Sequence, residues 1–261
     1  MSRLLEIQNL SVEYRRGRQV IPAVRHVNLT VEAGETLGLV GESGCGKSTL
    51  ALSILKLLPE TEAKITGGRI VFEGRNLLQS PVETLRKIRG ERIGMIFQDP
   101  FSSLNPVFTI GNQMTETLVW HNLSHPSRKA RELLAQVQLT DAERILSSYP
   151  HQISGGQRQR VMIALAICAK PKLLIADEPT TALDVTIQKE IMDLLIQLQK
   201  ELNMSVILVT HNLALVSQNT KRCAVMNAGE IVEEGMTGDV IQHPHHPYTQ
   251  TLLRCVPSLA R

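Results

Sequence analysis

Apolar and polar residues alternate over positions 4–10 and 27–31, and a basic turn, Arg15-Arg16-Gly17-Arg18, lies between the two stretches. Period-two alternation is what a half-buried strand needs, so the opening of the chain predicts a hairpin. Gly67-Gly68 then introduces a short strand over 69–72, ended by Gly74. Short strands joined by such turns predict an antiparallel sheet. Three other runs, 36–40, 173–176 and 205–210, are compact and apolar without alternation. Runs of that kind suit strands covered on both faces, each leading into a helix, as in parallel βα units. A helix over 48–58, stopped at Pro59, follows the first run. Ahead of the last run, 185–202 carries Ile187, Ile191, Leu194, Leu195 and Leu198 at helical spacing. Residues 110–169 read as almost wholly helical, punctuated by Pro126, Pro150 and Gly155-Gly156. The pattern predicts an α/β core with an antiparallel β-subdomain at its start and a helical lobe inserted between two core strands.

Composition narrows the function classes. The 261 residues are 43% hydrophobic and 20% charged, the balance of a globular chain long enough for one large domain. A net charge of +3 and an aromatic content of 3% give no nucleic-acid footprint and no base-stacking surface. The opening Met1-Ser2-Arg3-Leu4-Leu5-Glu6 has no secretory pattern. No apolar run approaches the ~20 residues needed to span a bilayer, so any membrane role must come through a partner. Cys45, Cys168, Cys223 and Cys255 form no CxxC pair, which fits a reducing cytosol rather than a disulfide or metal framework.

The chemistry concentrates in glycine turns and strand ends. Gly41-Glu42-Ser43-Gly44-Cys45-Gly46-Lys47-Ser48 matches G-x-x-x-x-G-K-[ST] in full, after a strand and before a helix. Its glycines let backbone amides converge on phosphate, with Lys47 reaching the β- and γ-phosphates and Ser48 ligating Mg²⁺. Thr49 completes the nucleotide-binding stretch, and Cys45 reads as a small filler whose backbone does the binding. The run ending Ala176-Asp177-Glu178 puts two carboxylates at a strand end. Asp177 is expected to hold Mg²⁺, and Glu178 to polarise the attacking water. Thr210-His211 ends the next strand with an imidazole that can fix that water, and Gln98 offers an amide to Mg²⁺ or water. A second glycine turn, Ser154-Gly155-Gly156-Gln157, has no evident work in the same nucleotide site.

Together these motifs resemble the nucleotide-binding subunits of ABC transporters over nearly the whole chain. In that family's order they are an adenine-stacking aromatic (Tyr14), Walker A, Q-loop (Gln98), signature (Ser154, Gly155, Gly156, Gln157), Walker B (Asp177), catalytic glutamate (Glu178), D-loop (Ala182-Leu183-Asp184) and switch histidine (His211). Ile153 stands where leucine is commoner. The resemblance implies a single P-loop NTPase (RecA-like) domain, with its core at about 1–98 and 165–261 and its helical subdomain at about 99–164. It also implies ATP and Mg²⁺, and a second ATPase subunit, either a related chain or another copy. Ser154 and Gly156 of one chain then close over the nucleotide of the other. Two transmembrane permease subunits, reached through Gln98 and 99–106, and an extracytoplasmic substrate-binding protein complete the assembly. The chain would sit at the cytoplasmic face of the membrane and bind no nucleic acid.

A narrower likeness is to the peptide/nickel importer subfamily. It rests on Gln98-Asp99-Pro100-Phe101-Ser102-Ser103-Leu104-Asn105-Pro106, on Thr180-Thr181-Ala182-Leu183-Asp184-Val185-Thr186-Ile187-Gln188, and on His246-Pro247-Tyr248-Thr249. Many members continue into a cysteine-bearing tail that can hold an iron–sulfur cluster. With Arg261 last and only Cys255 nearby, no such cluster is expected. Peptide is the leading cargo, nickel or another metal chelate the alternative, and a non-transport ABC ATPase acting on nucleic acid the less favoured reading. His243-Pro244-His245-His246 reads as a surface loop into the last helix rather than a metal site.

Overall fold

The computed structural model of the chain describes residues 3–17, 19–99, 103–181 and 183–254. Arg18, Ala182, Cys255 and the Pro100-Phe101-Ser102 segment named above lie outside the described residues. Two compact units divide the chain: Met1–Arg86 with Ser205–Arg261, and Lys87–Met204.

The first unit holds an antiparallel sheet in the order Gln19–Glu32, Arg3–Arg16, Ala63–Phe72, Arg75–Asn76. Its first two strands run well beyond the alternating stretches, because the alternation changes phase inside them. Leu5 and Ile7 are buried, and so are Leu10 and Val12, after a gap of three positions instead of two. On the neighbouring strand Val24 and Val27 show the same gap. A strand keeps both sets on one face only if a bulge absorbs a residue. The register shifts accordingly between Ile7 and Leu10 and between Leu10 and Val12. Asn9 and His26 take left-handed backbone there, each with φ 49°, and His26 Nδ1 lies 2.8 Å from Asn9 Oδ1. These two shifts fall on opposite strands and cancel between Ile7 and Val12, with further shifts between Arg3 and Leu5 and between Val12 and Glu13.

The same irregularity explains Gly67-Gly68. The pair does not start a strand, as its spacing predicts, but lies within Ala63–Phe72. Gly68 has φ 97°, and a Cβ on it would stand 2.6 Å from the Asn9 carbonyl oxygen. Glycine is required where the bulged strand crosses.

Also in the first unit, Thr36–Val40 lies between Ser205–Thr210 and Arg222–Asn227, parallel to both. Glu230–Met236 joins antiparallel to Arg222–Asn227. The register sets Val40 beside Thr210 and Val225, so the residues that follow all three strands emerge at one edge. Helix Lys47–Ile54 leaves from that edge and ends short of the predicted residue 58. Leu57 N–H donates to the Leu52 carbonyl and Lys56 N–H to that of Ser53, both at 3.0 Å, with Lys56 at φ 52°. That Schellman closure stops the helix before Pro59 can.

In the second unit, Ile93–Ile96 pairs parallel with Leu173–Asp177, Ile96 opposite Ala176. A Cβ on Gly94 would stand 2.4 Å from the Ala166 carbonyl oxygen, so helix Gly155–Ile167 packs directly on this strand. Helices Ile110–Trp120 and Pro126–Gln136 pack together through Ile110, Met114 and Leu118 on one side and Ala130, Leu133 and Leu134 on the other. Thr109, Asp141, Ser154 and Asp184 accept from amides of the first turn and fix where their helices begin. The helix predicted at 185–202 is Val185–Glu201. Among the described residues no helix is long and apolar enough to cross a membrane.

Gly68→Ala should lower stability by roughly 1–3 kcal/mol through strain at the crossing, while Lys56→Gly should raise it by about 1 kcal/mol by relieving the left-handed residue. Urea midpoints measure both. Equal midpoints for Gly68→Ala and the parent would mean the crossing is not tight.

Candidate functional site

Strand Thr36–Val40 passes to helix Lys47–Ile54 through residues 41–46, and neighbouring backbone shapes that passage. A Cβ on Gly41 would stand 2.1 Å from the Met226 carbonyl oxygen, and one on Gly46 2.2 Å from that of Ala23. Gly46 has φ 110° and Gly44 φ 82°, conformations that favour glycine. Gly229 N–H donates to the Cys45 carbonyl at 2.9 Å. Lys47 is only 5% exposed, and its Nζ donates to the carbonyl oxygens of Gly41 (2.7 Å) and Glu42 (2.8 Å). A buried ammonium needs such partners. Here they draw the start of the loop onto the start of the helix. Cys45 is buried inside that ring, its Sγ 3.7 Å from Lys47 Nζ and its backbone held by Gly229. Glu42, Ser43 and Gly44 are exposed, and Ser48 and Thr49 are half-buried on the first turn. Glycine-rich backbone at a helix N-terminus, with a lysine already seated, can receive a phosphate group.

His211 is exposed at the end of Ser205–Thr210, the strand beside the one that feeds this loop. It is framed by Asn212 N–H donating to Thr210 Oγ1 at 3.0 Å and by the Asn212 side chain capping helix Leu213–Asn219. Tyr14 stands half-buried in the antiparallel sheet opposite Ile21, on the strand next to the one that carries Ala23. The first unit therefore brings the loop and His211 to one strand edge.

In the second unit, Gln98 and the Asp177-Glu178 pair follow or end two neighbouring parallel strands. Asp177 is buried at 4% exposure and Glu178 at 8%. Glu178 has φ 50°, an uncommon conformation for a residue with a Cβ. Thr181 holds it on both sides: its Oγ1 donates to Glu178 Oε2 at 3.0 Å and its N–H to the Glu178 carbonyl at 3.1 Å. Left-handed non-glycine residues persist only where the surroundings fix them, and they gather at functional sites.

Ser154-Gly155-Gly156-Gln157 opens helix Gly155–Ile167, two residues earlier than a start at Gln157. Ser154 Oγ accepts from Gln157 N–H at 3.3 Å, and Gln157 Oε1 accepts from Ser154 N–H at 3.1 Å. This reciprocal cap uses one lone pair of the hydroxyl and leaves its proton able to donate to an anion. A Cβ on Gly156 would stand 2.9 Å from Ile187 Cγ2, and one on Gly155 3.3 Å from Leu183 Cδ2. The turn is thus packed against the segment of Leu183, Asp184 and Ile187.

Two residues quoted for the subfamily likeness were given no part in the site. Thr181, three residues past Glu178, is one of them. Tyr248 accepts a hydrogen bond from the Glu42 amide at 3.0 Å, across 206 residues of chain. The Ser154 cap has a sequence signal, S-x-x-Q, that the sequence reading did not use. Ser154→Ala should cost about 1 kcal/mol of stability and Ser154→Asp much less, as measured by chemical unfolding.

Residues 24–181 match the ABC transporter family, and residues 232–261 match the C-terminal region of oligopeptide/dipeptide transporters. A probable peptide ABC transporter ATP-binding protein of Sinorhizobium fredii is 48% identical, over 99% of this chain and 78% of that protein. The oligopeptide transport ATP-binding protein AppD of Bacillus subtilis is 47% identical, over 98% of this chain and 79% of its own length. A dimeric ATP-binding cassette solved in a post-hydrolysis state with ADP and phosphate superposes with a TM-score of 0.79 at 31% identity, covering 89% of this chain and 98% of that one. With a P-loop NTPase fold and a family match spanning most of its length, the chain belongs to the ABC transporter family, as an ATP-binding and ATP-hydrolysing subunit.

Proposed function

We infer that this ATPase energises the import of di- or oligopeptides by a binding-protein-dependent transporter, working from the cytoplasmic face of the membrane. The observation that carries the cargo class is the match of residues 232–261 to the peptide-transporter C-terminal region, joined by relatives named for peptide or oligopeptide transport.

Within the proposed reaction, Lys47 grips the β- and γ-phosphates and Tyr14 stacks on the adenine. Gly41, Glu42, Ser43, Gly44, Cys45, Gly46 and Thr49 supply the rest of the nucleotide cradle. Ser48, Gln98 and Asp177 each offer a hard oxygen donor of the kind that suits Mg²⁺. When bound, that ion neutralises phosphate charge. Glu178 orients and polarises the attacking water, and its clamp by Thr181 supports that role because a fixed base needs no rearrangement. His211 offers an imidazole that can steady an attacking water.

Ser154, Gly155, Gly156 and Gln157 close over the nucleotide of a second ATPase subunit, with Asp184 at the seam. The hydroxyl proton of Ser154 and the helix N-terminus supply the contacts to that anion. Past Gln98, exposed Val107 (71%) and Phe108 offer apolar surface for a permease subunit. Gln113 shapes that stretch through bonds to Asn105 and Phe108. ATP-driven closure would reach the membrane by this route.

Glu178→Gln should keep ATP binding and accumulate an ATP-dependent two-subunit complex in light scattering; a monomer throughout would contradict head-to-tail closure. Ser154→Arg should abolish most hydrolysis while the isolated chain binds ATP normally. Loss of both together would place the motif in its own chain's site. With the co-purifying permease and binding protein reconstituted, peptides rather than nickel chelates should stimulate ATPase turnover.

A further inference from the structure

The segment around Tyr248 is tied down at several points, all within the first unit. Glu233 on strand Glu230–Met236 accepts from two successive backbone amides, His245 at 2.8 Å and His246 at 3.1 Å, one on each carboxylate oxygen. Burial opposes the charge of Glu233, but its surroundings, led by the His245 amide, hold its carboxyl below the usual range. His246 Nδ1 in turn accepts from the Tyr248 N–H at 3.1 Å. The helix that follows, Pro247–Arg254, buries Leu252 and Leu253 in a cluster with Val40, Leu213, Val216 and Val225. Val40 is the last residue before the phosphate loop, and Tyr248 packs on the same cluster. Burial also pushes the Tyr248 phenol above its ordinary range.

We propose that Tyr248 is a positioning residue for ATP binding, its phenol fixing the first turn of the phosphate loop through the Glu42 amide. Lys47 already draws the carbonyls of Gly41 and Glu42 inward. The Glu42 amide faces the other way and is claimed by the hydroxyl of Tyr248. The exposed Glu42-Ser43-Gly44 stretch is thereby anchored on both sides of one peptide unit. Without the phenol, the loop must pay more conformational entropy when nucleotide orders it. The C-terminal segment thus sets nucleotide affinity without touching nucleotide, and this reading rests on residues 41–48 being the phosphate loop.

The test uses the full chain, titrated with ATP·Mg²⁺ by calorimetry. Tyr248→Phe keeps the ring in the cluster and removes only the hydroxyl. It should weaken ATP binding about three- to tenfold, the range of one modest hydrogen bond, with an unchanged thermal midpoint. Amides of 42–46 should exchange faster, and in the assembled transporter KM for ATP should rise with kcat nearly constant. Thr251→Val, on the same helix with its hydroxyl donating to the Pro247 carbonyl, should leave affinity unaltered. Lys47→Ala separates the two readings. If it abolishes binding while Tyr248→Phe binds like the parent, the role of Tyr248 is overturned and the phosphate loop stands. If Lys47→Ala binds like the parent, the loop assignment itself falls, and the proposal with it. A fall of kcat and thermal midpoint in Tyr248→Phe, with the affinity for ATP unchanged, would mark a merely structural residue and reject the proposal.

Discussion

Backbone meeting backbone around residues 41–46 is the constraint on which the site depends. The Met226 carbonyl comes in against Gly41 and the Ala23 carbonyl against Gly46, at distances that leave no room for a Cβ. Those carbonyls belong to strands from opposite ends of the first unit's sequence, Gln19–Glu32 and Arg222–Asn227. The antiparallel sheet and the parallel strands must therefore both be formed before the loop has its shape. The bulges at Asn9 and His26 matter for this reason, since they keep Val24 and Val27 buried on either side of a phase change just beyond Ala23. Lys47 adds the electrostatic part. Its buried ammonium is satisfied by the loop's own carbonyls, so the charge proposed to meet phosphate is already in place.

Much of this was legible in the sequence, for identifiable reasons. Buried parallel strands announce themselves as short apolar runs, and Thr36–Val40, Leu173–Asp177 and Ser205–Thr210 lie where those runs are. The helix from Val185 was legible because Ile191, Leu194, Leu195 and Leu198 form a clear buried stripe. The antiparallel sheet was legible in kind and misread in extent. Alternation that slips by one residue, as between Ile7 and Leu10, looks like a strand end when a bulge in fact carries the strand on. Gly67-Gly68 was misread through the same slip, and the first helix was read too long because a lysine rather than a glycine closes it.

The site divides similarly. Residues in local motifs, from Gly41 to Ser48 or from Asp177 to Glu178, could be named from spacing alone. What no spacing carried were partners brought by tertiary folding: Thr181 clamping a left-handed Glu178, Ile187 packed on Gly156, and Tyr248 reaching the Glu42 amide. Each is an ordinary residue whose importance lies in where the fold delivers it. They share a physical task, which is to remove freedom from a motif residue before nucleotide arrives.

Gly46→Ala tests that preorganisation most directly, because its added methyl meets the Ala23 backbone and nothing in the reacting groups changes. ATP titration of the purified variant, alongside its thermal unfolding, gives the answer. The account predicts a cooperatively folded chain with no measurable ATP binding. A variant that binds ATP as the parent does would show that the close backbone approach does not shape the loop.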